Sequence, residues 1–343
     1  MVSEEYCEVR LIRRPAGRVE VDDFVVVTNP LPVPAAGEVL VRNTWQSVDP
    51  ALRMRLDERT PRGYLPPIPV GGVLGGLAIG EVVESRASGF VPGDIVQHVH
   101  GYREFAAVPA DGETLGGAGA LTKLDVSVAP IRHFLGPLGS AGLTAYAALV
   151  RIAELRNSDT VWVSAAAGAV GGLAVQIARL RGNRVIGTAG SPEKAAHVRD
   201  VLGAYAAFDY HDVDLVAVLD DLVPDGVDVY IDNVGGAHLE AALNVLRPHG
   251  RVALVGAVAA YDGIPPQGPA NLFQAVARSL TLKGFRVGDH VDLVEQMRTE
   301  VAAHIANGGL HVDETIYRGI NSAPQAIVAM LRGETLGKTL VEL

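Results

Sequence analysis

Two textures of hydrophobic and polar positions divide the chain. Up to about residue 125, short β-type runs alternate with Pro and Gly turns, at 38–42, 80–84, 94–96 and 104–108. Short strands at that spacing predict an irregular, barrel-like β unit. The Gly-Gly-Ala-Gly stretch at 116–119 reads as a surface loop between such runs. From about residue 159 the rhythm becomes strand, helix, strand, helix. Apolar strands are predicted at 160–163, 184–187, 207–210, 227–231, 251–255 and 280–285, with helical spacing at 170–181 and a helix opening at Ser191-Pro192-Glu193. There Ser191 suits the N-cap and Pro192 the first helical position. Continuous apolar strands separated by helices imply a parallel sheet covered on both faces, and six of them match a doubly wound dinucleotide fold. A helix over 291–306, another near 323–331 and a strand at 338–341 follow. Lying beyond the sixth strand, they are expected to rejoin the N-terminal β unit.

Composition adds little to this picture but excludes several classes. With 343 residues the chain suits two domains, and 48% hydrophobic against 20% charged residues fits a globular protein. The net charge of −10 arises from 39 acids and 29 bases with no basic block, so nucleic acid is not an expected partner. The longest apolar runs are too short and too rich in Gly and Ala to span a bilayer, and no signal peptide is expected. The single cysteine, Cys7, excludes an internal disulfide and a cysteine cage for zinc. Together these features predict a cytoplasmic protein.

The candidate chemistry begins at Val163-Ser164-Ala165-Ala166-Ala167-Gly168-Ala169-Val170-Gly171-Gly172. A dinucleotide fingerprint needs a small residue for a tight turn, a glycine letting backbone approach the pyrophosphate, and a glycine for helix–strand packing. Ala166, Gly168 and Gly171 take those places, with alanine for the first glycine. The helix start, Ala169 and Val170 included, would aim its N–H groups at the diphosphate. A glycine used only to pack helix on strand leaves the same mark, but the strand–turn–helix context favours the dinucleotide reading. An NAD site wants an acid at the end of the second strand. Here Gly187-Thr188-Ala189-Gly190-Ser191 has none before Glu193. Gly190 and Ser191 leave room for a 2′-phosphate, and Lys194, one turn into the helix, can reach it as a point charge. A solvated surface lysine is the alternative for Lys194; the missing acid and the Ser191 hydroxyl tilt the reading to NADP(H).

Other chemistries lack their residues. No His-Glu-x-x-His motif is present, and His98 and His100, alternating on one face of a strand, lack a third ligand and are expected to be partly exposed strand residues. No Gly-x-Ser-x-Gly elbow is present. No metal is therefore expected.

Several marks taken in order give the chain a resemblance. They are Ser47-Val48-Asp49-Pro50 with Arg53, Gly142-Leu143-Thr144-Ala145-Tyr146, the Ala165 to Gly171 turn, Ala189-Gly190-Ser191-Pro192-Glu193-Lys194, Asp232-Asn233-Val234-Gly235-Gly236, Val255-Gly256-Ala257 ahead of Tyr261, and Leu336-Gly337-Lys338-Thr339. Over nearly its whole length the sequence resembles the zinc-independent medium-chain dehydrogenase/reductases, in the leukotriene B4 dehydrogenase/prostaglandin reductase group with alkenal and curcumin reductases. Gly75-Gly76-Leu77 stands where zinc relatives carry Gly-His-Glu.

The resemblance implies a GroES-like β domain over 1–128 and 302–343, a Rossmann domain over 129–301, and an active site in the cleft between them. It implies that Lys194 and Tyr210 hold the 2′-phosphate end and Asn233 the backbone side of the cofactor. Val255, Gly256, Ala257, Tyr261, Phe285, Arg286 and Val287 would line the nicotinamide. Asn233 with its glycines also fits a plain turn after the fourth strand. Two departures stand out: Ala51-Leu52 follow Asp49-Pro50 where the group often has Tyr-Met, and Thr335 replaces the usual asparagine that contacts the cofactor.

The expected reaction is NADPH-dependent reduction of the C=C bond of an enone or alkenal, with Tyr261 donating to the carbonyl oxygen. One such donor contributes about 3 kcal/mol at an enclosed site. A loop tyrosine that only shields the cofactor is the alternative. The loop from Tyr261 to Pro269 and the loop at 61–72 are both Pro-rich, fitting pocket walls or stiff spacers equally. A quinone reductase and a non-catalytic NADPH-binding sensor or structural protein are the rival functions. A homodimer pairing through a sheet edge is implied by the resemblance alone.

Overall fold

A computed structural model describes residues 4–111, 121–261 and 268–343. The expected loop at 116–119 and most of the Tyr261–Pro269 loop lie outside the described residues. The strands, in chain order, are β1 (Glu5–Leu11), β2 (Phe24–Pro30), β3 (Glu38–Ser47), β4 (Ala78–Ser85), β5 (Ile95–His98), β6 (Phe105–Pro109) and β7 (Thr122–Lys123). They continue with β8 (Thr160–Val163), β9 (Arg184–Ala189), β10 (Ala206–Asp209), β11 (Val227–Asp232), β12 (Leu246–Leu254), β13 (Thr281–Gly284), β14 (Glu314–Arg318) and β15 (Lys338–Glu342). The chain divides into two units, Met1–Leu135 with Glu314–Leu343, and Gly136–Asp313.

In the unit Gly136–Asp313, strands β8 to β13 form one parallel sheet in the order β10-β9-β8-β11-β12-β13. That is the doubly wound order, reversing between β8 and β11. All four residues of β8 are buried, which is why the strand reads as a continuous apolar run instead of an alternating one. On one face Trp162 stacks on Tyr230 at 4.4 Å, and both pack with Ile186, Leu219, Ala242 and Val245. Helices Leu215–Leu222 and Gly236–Val245 cover that face.

The expected domain limits at 128/129 and 301/302 differ from those of the two units. Helix Val294–Ala306 buries Met297 and Val301. Its Glu300 accepts from the Tyr146 hydroxyl at 2.7 Å and pairs with Arg181 at 2.8 Å. These partners, on helix Ser140–Ala147 and just past helix Ala169–Leu180, hold it within the nucleotide-type unit, so the chain leaves that unit only after Asp313.

The other unit pairs β1 with β2 and builds a larger sheet in the order β14-β15-β3-β4-β5-β7, with β6 also on β3. β1, β2 and β14 lie outside the expected strands. Helix Ala323–Leu331 packs Ala323, Ala326 and Ile327 onto the apolar cluster that holds Val9, Leu11, Leu74 and Val341. Two of the family marks meet here: Lys338 Nζ donates to Val48 O at 2.9 Å and to Asp49 Oδ1 at 2.6 Å. No helix among the described residues is long and apolar enough to cross a membrane.

The expectation of partly exposed histidines fails at His98, which is fully buried. Asn43 Nδ2 donates to His100 O at 3.2 Å and Arg103 O at 2.8 Å, which turns Asn43 Oδ1 toward His98 Nε2 at 2.9 Å. His98 Nε2–H therefore donates, while Nδ1 accepts the His100 N–H at 3.1 Å. Both ring nitrogens are satisfied and the ring is neutral. Burial, then the nearby His100 and Arg103, push it down to about 3. A histidine depressed on folding contributes stability that is complete above the unfolded value of about 6.5 and is lost as pH falls from there. Urea midpoints are therefore expected to drop between about pH 6.5 and pH 4, with the slope flattened in His98→Gln. Equal slopes in the two proteins would remove His98 as the cause.

Candidate functional site

All but one of the expected cofactor residues stand on the rim formed by the carboxyl ends of the parallel strands, where open α/β sheets bind ligands. At the end of β8, Ala165 takes a left-handed conformation with φ of 48°. That reversal lets Ala166 N–H bond Thr188 O at 2.9 Å and Gly168 N–H bond Ala165 O at 2.9 Å. Helix Ala169–Leu180 then starts from Gly168 with no capping side chain. As at any helix start, its first-turn N–H groups have no intrahelical acceptor, which is what an anion site uses. A Cβ on Gly171 would sit 2.2 Å from Ala165 O, so only glycine permits this approach of helix to turn. At Gly168 the same distance is 3.3 Å.

The next strand ends make a second corner. Ser191 caps helix Pro192–Asp200, its Oγ accepting from Lys194 N–H at 3.2 Å. Tyr210 follows β10, and a Cβ on Gly190 would lie 3.5 Å from the Tyr210 hydroxyl. Burial, then the Asp209 charge, raises the Tyr210 phenol, which stays a donor. Ser191 and Tyr210 thus border the exposed Gly190, Lys194 follows in the first turn of the helix, and β9 ends without an acid.

At the middle of the sheet Asn233 is buried. Its Nδ2 donates to Ser164 O at 2.7 Å and its N–H to Ser164 Oγ at 3.0 Å. Asn233 therefore ties β11 to β8. Asp232 beside it accepts from the Tyr230 hydroxyl at 2.9 Å and from the N–H groups of Val234 and Gly235 at 3.1 and 2.7 Å. Burial raises the Asp232 carboxyl, against the lowering effect of those hydrogen bonds, and burial with Asp232 pushes the Tyr230 phenol well up. Val255 and Gly256 donate their N–H groups to Asp232 O at 2.9 and 3.1 Å. A Cβ on Gly256 would be 3.0 Å from Asn233 O. Val258–Ala260 form one helical turn that Tyr261 closes, its N–H bonding Val258 O at 3.1 Å. Phe285, Arg286 and Val287 follow β13, with Phe285 edge-on to His290 and Arg286 paired with Asp289 at 2.9 Å.

Thr335 is the exception. It lies in the other unit, where Thr339 Oγ1 donates to its hydroxyl at 3.0 Å. The sequence reading missed Ser164 and Asp232 as the fasteners of this rim. The Asp-Asn pair itself was visible, but the buried serine that meets it is 69 positions away. In the unit holding Thr335, Gly76 would bring a Cβ to 3.0 Å from Tyr102 Cε2 and 3.1 Å from Gln46 Nε2. Gln46 is held there by accepting the Tyr102 N–H at 2.6 Å, so a side chain at Gly76 would crowd both residues. Among the described residues no three His, Cys, Asp or Glu side chains converge as metal ligands do.

The arrangement has counterparts among known proteins. Residues 8–115 match the family model described as the N-terminal domain of oxidoreductases, and residues 169–306 the one described as zinc-binding dehydrogenase. The second segment contains no cysteine, whatever that description says of zinc. Prostaglandin reductase 1 of Mus musculus is 37% identical over 327 residues, covering 93% of this chain and 94% of that one. The NADPH-dependent curcumin reductase of Escherichia coli is 31% identical over 339 residues, covering 97% and 95%. The crystal structure of CurA from Vibrio vulnificus in complex with NADPH superposes with a TM-score of 0.89 at 29% identity, covering 98% of both chains. The fold and rim define a two-domain oxidoreductase with a Rossmann sheet and a GroES-like partner. The chain belongs to the medium-chain dehydrogenase/reductase family, in the group of prostaglandin, alkenal and curcumin reductases.

Gly171→Ala tests the turn. The clash with Ala165 O is expected to lower stability by about 1–3 kcal/mol in denaturant titrations and to weaken NADPH binding, because the helix start must shift. Unchanged stability and binding would show that the close approach is not needed.

Proposed function

We infer that the protein is an NADPH-dependent reductase of the C=C bond of α,β-unsaturated ketones and aldehydes, working without zinc. The carrying observation is the corner of Ser191, Lys194 and Tyr210 around Gly190, beside an uncapped helix start and with no acid closing β9. The Tyr210 phenol and the Lys194 ammonium are donors of the kind a 2′-phosphate takes, and the first-turn N–H groups suit the diphosphate. In this reading the unit Gly136–Asp313 is the nucleotide-binding domain and the other unit the substrate domain. Relatives named 2-alkenal reductase, (+)-pulegone reductase and curcumin reductase support the acceptor class.

When bound, NADPH supplies the hydride that adds to the β-carbon. Gly168, Ala169, Val170 and Gly171 would hold the diphosphate, and Ser191, Lys194 and Tyr210 the 2′-phosphate. Val255 to Ala257 and Phe285 to Val287 flank the nicotinamide. Tyr261 offers its hydroxyl to the carbonyl oxygen as that atom gains negative charge, and the α-carbon takes its proton from Tyr261 or from water. A cytoplasmic location belongs to the same reading, in keeping with the single free thiol, Cys7.

Steady-state NADPH oxidation with a simple enone, with a quinone and with no acceptor tests the assignment. Turnover is expected with the enone. A preference for the quinone would make the protein a quinone reductase, and tight NADPH binding with no turnover would make it a non-catalytic binding protein. Tyr261→Phe is expected to lower kcat about a hundredfold at unchanged NADPH affinity. Unchanged turnover would remove Tyr261 from the chemistry.

The same reading includes a homodimer. β13 is an outer strand of its sheet, and Leu272, Phe273 and Val276 just before it are 54%, 76% and 69% exposed. Covering an unpaired edge and its apolar neighbours is what a second copy would do. Analytical ultracentrifugation is expected to show a dimer that Phe273→Glu with Val276→Glu converts to monomers. A monomeric unsubstituted protein would end this part of the reading.

A further inference from the structure

His211 belongs to the corner around Gly190, although neither the sequence pattern nor the family marks single it out. Its ring lies on that of Tyr210 with centroids 4.3 Å apart and planes 31° from parallel. A Cβ on Gly190 would stand 3.7 Å from His211 Cε1, so the imidazole edge borders the same open space as the Tyr210 hydroxyl. Asp209 sets the ring. Its Oδ1 accepts the His211 backbone N–H at 3.1 Å and lies 2.7 Å from Nδ1. Nδ1 therefore carries hydrogen, and Nε2 is the ring atom available to a ligand.

Charge gives the reason for a ligand there. Asp209 ends β10, and Glu193 and Lys194 occupy the first turn of helix Pro192–Asp200. Tyr210 keeps its proton, and His238, packed edge-on against Tyr210 from helix Gly236–Val245, is held neutral, chiefly by burial, at about 4. Asp209 and Glu193 set two carboxylates beside this corner against one lysine, so a further cation would strengthen its hold on a phosphate.

We propose that His211 is that cation, its Nε2–H donating to the 2′-phosphate of NADPH while Nδ1–H donates to Asp209. The inference rests on the placement of the 2′-phosphate at this corner. The imidazolium stands between two anions and makes a charge-assisted hydrogen bond to each, which a neutral ring cannot do with only one N–H. Binding therefore draws a proton from solvent onto Nε2 in every molecule whose ring is neutral beforehand. Asp209, repulsive on its own, becomes the group that aims the ring.

Affinities of NADPH and NADH are to be measured for the full-length protein, His211→Ala and His211→Gln. Both substitutions are expected to weaken NADPH about ten- to a hundredfold while NADH changes less than about twofold. Calorimetry in two buffers of different ionisation enthalpy is expected to show proton uptake with NADPH in the unsubstituted protein, less of it in His211→Gln, and none with NADH. Unchanged NADPH affinity, or equal losses for both nucleotides, would overturn the role of His211. An unsubstituted protein that fails to discriminate NADPH from NADH would overturn the placement of the 2′-phosphate itself, a result read before any substitution is made.

Discussion

The close approach of helix Ala169–Leu180 to the end of β8 governs the nucleotide-type unit. Ala165 must turn left-handed and Gly171 must lack a side chain for the helix to start where it does. The same compactness recurs one strand over, where a Cβ on Gly187 would lie 2.9 Å from the Ala166 methyl. The turn is thus held on one side by its own helix and on the other by β9. A helix start fixed this firmly would meet an anion without reorganisation, which is how fixed dipoles become effective.

A second set of constraints fastens the rim. Ser164, Asn233 and Asp232 connect the ends of β8, β11 and β12 through buried hydrogen bonds, so the floor of the site behaves as one piece. Asp232 Oδ1 accepts from Tyr230, Val234 and Gly235, which makes it a brace for the backbone. In the proposed reading the side chains that meet a nucleotide lie at the outer corners of the rim, beside the exposed Gly190.

Much of this was legible in the sequence for a physical reason. Strands buried on both faces must be apolar throughout, and such runs separated by helices admit few arrangements. The corner at Gly190 could be proposed as a cofactor site from the sequence because it rests on local features: a cap, an adjacent lysine and a missing acid. What stayed hidden depends on partners distant in the chain. His98 looked half-exposed because Asn43, which satisfies it, lies 55 positions away. The expected boundary near 301 departs from the unit limit after Asp313 because Glu300 is claimed by Tyr146, 154 positions earlier. His211 carried no signal at all, since a lone histidine acquires meaning only from the aspartate and the ring that fix it.

The position of β15 has a consequence for how the chain is made. This last strand lies inside its sheet, parallel to β14 and antiparallel to β3, and Lys338 within it holds Val48 and Asp49. That unit is therefore built from two stretches of chain on either side of Gly136–Asp313. During translation Trp45–Ser47 of β3 wait without their β15 partner while the whole of Gly136–Asp313 emerges and closes on itself. The nucleotide-type unit is thus the first of the two able to complete its fold. An exposed strand edge is the hazard the chain carries until its final five-residue strand is in place.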